Sequence, residues 1–113
     1  MLRVIMTNNL FIQIFLFVVK HGTPSGDELE ALGFLIAEDW KRLGRRLHIA
    51  DETLEEIEKA FGDDLSEKGY QMLRKWKQQC ASASTYEVLR AALEHDFVKR
   101  GDLAVEFCYI NGN

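Results

Sequence analysis

Two cysteines, Cys80 and Cys108, and two of the three histidines, His48 and His95, are the residues to weigh for covalent or metal chemistry. His95, next to Asp96, is the kind of base that activates a cysteine nucleophile, but that pairing needs both side chains within hydrogen-bond reach, and the spacing supplies no such geometry. The same cysteines with His48 or His95 lack the close Cys-x-x-Cys pair that anchors a zinc site. The glycines are scattered rather than gathered into a phosphate-cradling loop. The residues therefore predict no catalysis, no cofactor and no metal. Two cysteines are also too few for a disulfide framework, which points to a reducing, cytoplasmic setting.

The chemistry that does have regular spacing is electrostatic. In Asp39 to Leu47 an apolar stripe of Trp40, Leu43 and Leu47 lies opposite a basic face carrying Arg42, Arg45 and Arg46. In Asp51 to Phe61 the inward residues are Leu54, Ile57 and Phe61, and the outward ones are acidic: Glu52, Glu55, Glu56 and Glu58. A longer segment to Cys80 turns Met72, Leu73 and Trp76 inward and presents Lys68, Arg74, Lys75 and Lys77 outward. A single exposed ion pair contributes little to stability. Neighbouring helices of opposite sign predict instead a surface that docks on another protein.

These faces need helices to hold them, and the capping pattern predicts where the helices start. Ser25 with Glu28 forms a capping box behind Pro24, and Leu29, Leu32, Leu35 and Ile36 make the first buried stripe. Asp39 is the expected cap of the second helix, Asp51 of the third and Asp64 of the fourth. Ser84 with Glu87 reads as a further capping box, ahead of a stripe of Leu89, Ala92 and Leu93. Asp102 is the expected cap of the last helix, whose Leu103, Ala104 and Phe107 close the core. Gly62 suits the left-handed turn that ends a helix, and Gly33, Gly44 and Gly69 permit close helix packing.

At 113 residues, 47% of them hydrophobic, the chain is one domain able to bury its own core. A net charge of −4 gives no reason to expect nucleic acid. A helix-turn-helix reading would put the basic second helix in a DNA groove, where the acidic third helix beside it repels phosphate. The apolar run Leu10 to Val19 behind Arg3 is short for a membrane span, since ten helical residues cover about 15 Å, and no small-x-small cleavage site follows it. It reads as an accessory segment; membrane association is expected only if it anchors. The domain plan is an apolar segment 1-22, a helical domain 23-109 and a tail 110-113.

Taken in order, the Asp-Trp-Lys-Arg-Leu-Gly-Arg-Arg-Leu run, the acidic Leu-Glu-Glu-Ile-Glu helix and Tyr-Gln-Met-Leu-Arg-Lys-Trp resemble death domains from about Ser25 to Phe107. Trp40 with Trp76 is the most specific part of the likeness, and Ala50 departs from it, where the family often has a small hydroxyl cap. The resemblance implies an all-α, six-helix antiparallel bundle, the death fold, with no catalytic activity. It implies homotypic assembly with other death-domain proteins, either receptor tails or adaptors, and self-association, in apoptotic or innate-immune signalling. Carried over position by position, one patch comprises Arg42, Arg45, Arg46, Glu52, Glu55, Glu56 and Glu58, and its counterpart comprises Lys68, Arg74 and Lys75. With no effector module in these residues, two roles are open: a competitor that blocks assembly, or a fragment of a longer adaptor.

Overall fold

The structure, a computed structural model, describes residues 18–110. In it the chain is all-α: α1 Gly26–Ile36, α2 Trp40–Arg46, α3 Asp51–Phe61, α4 Leu65–Cys80, α5 Tyr86–Glu94 and α6 Gly101–Cys108. Short 3-10 turns at Ala37–Asp39 and Ala81–Ala83 lead out of α1 and α4.

The start of α1 follows directly from sequence. Ser25 Oγ accepts from the Glu28 N–H at 3.1 Å, and Glu28 Oε1 accepts from the Ser25 N–H at 2.9 Å, so two orphan donors of the first turn are satisfied reciprocally. Asp64 likewise caps α4 by accepting from the Glu67 N–H at 3.1 Å. Other caps differ from expectation. Asp39 makes no side-chain capping bond; a 3-10 turn precedes α2, and the Asp39 carboxylate instead accepts from Arg100 Nη1 at 3.3 Å. The N-cap of α3 is Ala50, which has no capping side chain, and Asp51 lies inside the first turn, where a negative charge still favours the helix dipole. Thr85, not Ser84, caps α5; Ser84 is buried and donates to the Ala81 carbonyl, while Glu87 pairs with Arg90. Asp102 follows the N-cap residue Arg100 by two positions and forks with its guanidinium at 3.1 Å.

The core is one cluster containing Leu29, Leu32, Ile36, Trp40, Leu43, Leu54, Met72, Leu73, Trp76, Leu89, Leu93 and Leu103. The first stripe needs one correction: Gly33 takes the inward position and Leu35, at 38% exposure, turns outward. The cause is the most extensive helix pairing of the molecule, α1 against α4. A Cβ at Gly33 would stand 2.5 Å from the Tyr70 backbone nitrogen, and one at Gly69 would stand 2.6 Å from the Gly33 carbonyl oxygen. The two backbones therefore touch, and positions 29, 32, 33 and 36 must face the seam. Phe61, expected inward, packs half-buried at the core's edge, as does Cys80.

The chain also closes on itself outside the helices. Val19 and Tyr109 form a single antiparallel bridge: the Lys20 N–H donates to the Cys108 carbonyl at 2.9 Å, and the Ile110 N–H to the Val18 carbonyl at 2.7 Å. Both bridge residues are buried in the core, so residues from the segment 1-22 and the end of the helical domain pack as one unit. The rest of the apolar N-terminal run and the last three residues of the tail lie outside the described residues. Among the described residues, no helix is long and apolar enough to cross a membrane.

Candidate protein-interaction surface

Trp40, Leu43 and Leu47 anchor α2 in the core, and Gly44 lets it settle against Leu54 and Met72. That seating turns Arg42 and Arg45 into solvent, with Arg46 half-buried beside them on the same side. The nearest carboxylates are long contacts, Asp39 to Arg42 at 3.7 Å and Asp51 to Arg45 at 4.0 Å. The Arg46 guanidinium lies 5.4 Å from the centre of the Phe97 ring, a cation–π arrangement. Phe97 is 67% exposed and is held by the loop after α5, where its backbone N–H donates to His95 Nδ1 at 3.0 Å. The three arginines and Phe97 wall a cavity of about 400 Å³. Arg45 and Arg46 also wall a neighbouring one of about 470 Å³ with His48, His95 and Val88.

The acidic half of the surface is split. Glu52, Glu55 and Glu56 are exposed, and no ion pair engages them among the described residues. Glu58 is already taken: Lys41 donates to it, and that hydrogen bond holds its carboxyl below the usual carboxylate range. The second basic patch is smaller than expected. Lys68 is only 7% exposed and lies close enough to Glu58 to act on it, so it does not belong to the outer face. A lysine at such a site keeps its aliphatic stem on the core. Arg74 and Lys75 are exposed, and Arg74 joins Lys77, Tyr70 and Leu29 around a cavity of about 300 Å³ between α1 and α4.

Phe97 and Val88 are the surface residues that sequence reasoning missed, and His48 and His95, weighed there only for catalysis or metal, line the cavity beside them. The available signal was the adjacent pair Phe97-Val98 in a polar break: only one of two neighbouring apolar residues can turn inward there, and Val98 does. Two tyrosines outside the buried stripes, Tyr70 and Tyr86, have different surroundings. Tyr70 lies against the α1–α4 seam, whereas Tyr86 is tied into a polar knot. In that knot the Tyr86 hydroxyl donates to Glu28 Oε1 at 2.6 Å and Lys20 Nζ to Glu28 Oε2 at 3.3 Å. Burial opposes ionisation of Glu28, but the bonds from Tyr86, the Ser25 backbone and Lys20 outweigh it and lower its pKa. Burial, then the Glu28 carboxylate, pushes Tyr86 up to about 12.

The residues considered for catalysis are not brought together as a nucleophile and base. Cys108 is fully buried, which pushes its thiol up to about 12, and the His95 Nδ1 is occupied by its own loop. Among the described residues no group of three or more His, Cys, Asp or Glu side chains is placed to hold a metal ion.

The described residues thus form an all-α bundle whose α2 and α3 present outer faces of opposite charge. Residues 27–105 match the family model described as Death domain, and the chain belongs to that family. It is similar to the FAS-associated death domain protein of Bos taurus, with 33% identity over 58 residues, covering 51% of this chain and 28% of that protein. The chain thus corresponds to well under a third of that relative's length. Death domains are protein-interaction modules rather than enzymes.

Proposed function

We propose that this chain is a non-enzymatic adaptor or regulator of apoptotic or innate-immune signalling in the cytoplasm. It acts through a six-helix antiparallel death-fold bundle that docks other death-domain proteins, receptor tails or adaptors, and self-associates. The observation that carries this reading is the triad Arg42, Arg45 and Arg46 beside the free acids Glu52, Glu55 and Glu56. Unlike patches on one molecule make heterologous contacts, which propagate into helical assemblies when the rotation does not close. Arg74 and Lys75 on α4 supply the counterpart that meets acids of the next molecule. Charge complementarity of this kind speeds encounter, and salt weakens it.

The test is the double variant Arg42→Glu with Arg45→Glu, examined by size-exclusion chromatography with light scattering at low and high salt, alone and with candidate death domains. The fold should survive and partner binding should be lost. Unchanged binding by a folded double variant would show that the basic face is merely solvated.

A further inference from the structure

The two cavities beside α2 share Arg45 and Arg46: Arg42 and Phe97 complete the walls of one, His48, His95 and Val88 line the other, and no carboxylate residue lines either. The neighbouring Asp39 and Asp51 stand 3.7 and 4.0 Å away, beyond hydrogen-bond distance. Arg46 has no carboxylate partner among the described residues; only the Phe97 ring holds its plane. A guanidinium carries five N–H donors in a fixed fork, and here most of those donors are unspent.

We propose that the cavity walled by Arg42, Arg45, Arg46 and Phe97 binds a phosphorylated side chain presented by a partner polypeptide. The inference rests on the reading of α2 as a docking face and specifies what that face captures. A carboxylate has two oxygens and one charge and saturates a single fork. A phosphomonoester offers three terminal oxygens and close to two charges, which suits three converging guanidiniums. Phe97, 67% exposed, is an apolar shelf on the wall of this cavity, and Val88, 42% exposed, lines the neighbouring one. That shelf fits the side chains flanking a phosphorylated residue and has no use for free phosphate. Extended polyanions are disfavoured, because Glu52, Glu55 and Glu56 stand on the adjoining helix and the chain carries a net charge of −4. A nucleic acid or an anionic membrane would meet that repulsion, whereas a single compact dianion would not.

The full chain should be titrated with the fluorescent peptide Ala-Leu-phosphoserine-Leu-Ala and with the same peptide carrying serine or glutamate instead. Inorganic phosphate and phosphatidylserine vesicles complete the set. The phosphopeptide should bind about tenfold tighter than the glutamate peptide. Arg46→Ala and Phe97→Ala should each weaken it severalfold while leaving the melting temperature unchanged. Equal binding of the phospho and glutamate peptides overturns the inference. So does inorganic phosphate matching the peptide, or vesicle capture without peptide discrimination. If Arg42→Glu with Arg45→Glu abolishes death-domain binding while the parent shows no phosphopeptide preference, the adaptor reading stands and this inference falls. If that variant loses the phosphopeptide but keeps its death-domain partner, the site stands and α2 is not the homotypic docking face.

Discussion

The α1–α4 seam and the outer face of α2 solve opposite problems. At the seam, Gly33 and Gly69 remove side chains altogether so that backbone meets backbone, with no room for a single added carbon. On α2, Arg42 and Arg45 stand in solvent and a half-buried Arg46 lies over an aromatic ring, and the contacts that restrain them are long or non-ionic. The seam is specified by shape, and a small change in volume is felt there. The α2 face is specified by charge and by the rigid seating of Trp40, Leu43 and Leu47 beneath it, so its exposed groups are free to be spent on a partner. Stability and binding should therefore respond to different substitutions.

The sharpest break of that comparison lies in the core. Trp76→Ala or Leu43→Ala should cost about 3–5 kcal/mol, because both side chains are fully buried and would leave a cavity. Either variant melting with the parent would refute the assigned stripes. Gly33→Ala should come next, at about 1–3 kcal/mol of overpacking, since the added methyl meets backbone that cannot rotate aside. Gly44→Ala is the control. Its Cβ would meet Leu54 Cδ2 at 2.7 Å and Met72 Cγ at 3.1 Å, side-chain atoms rather than backbone, so it should cost less by thermal melting.

The amphipathic stripes, the Ser25 and Asp64 caps, the packing role of the glycines and the outward arginines were legible in sequence because each depends on local periodicity or on near neighbours. What escaped depends on tertiary pairing. Asp39 was read as a cap from its position, but Arg100, distant in sequence, claims it. Lys68 looked like one more outward lysine, yet it is buried next to a packed glycine. Val19 was hidden in an apolar run whose role no period could decide, and its partner Tyr109 lies at the other end of the helical domain. Phe97 joined the arginine cluster through a loop, where helical period gives no guidance.

The polar knot sits between the two extremes. Glu28 is held ionised, its pKa lowered beneath the ordinary 4.5. A depressed carboxylate pKa gives stability that is fully present above the unfolded value and lost as pH falls through the folded one. Glu28→Gln should therefore flatten the acid limb of the stability curve below about pH 4.5, and Tyr86→Phe should cost about 0.5–1.5 kcal/mol at neutral pH. Urea melts across pH 3 to 7 would decide; an unchanged acid limb in Glu28→Gln would remove the knot from the account.

The smallest expected effect concerns the α2 arginines themselves. Arg42 is 65% exposed and its carboxylate contact is 3.7 Å; Arg45 is 49% exposed and its contact, to an open Asp51, is 4.0 Å. Exposed pairs of this kind contribute little. Removing one of three neighbouring positive charges also relieves repulsion, which offsets what little is lost. Arg42→Ala and Arg45→Ala should each change stability by no more than about 0.5 kcal/mol in chemical denaturation, and salt should not separate them from the parent. The same variants should weaken partner association, most at low ionic strength. A loss of about 2 kcal/mol or more in either would mean that the arginines hold the bundle together, and the division between a face that binds and a seam that stabilises would fail.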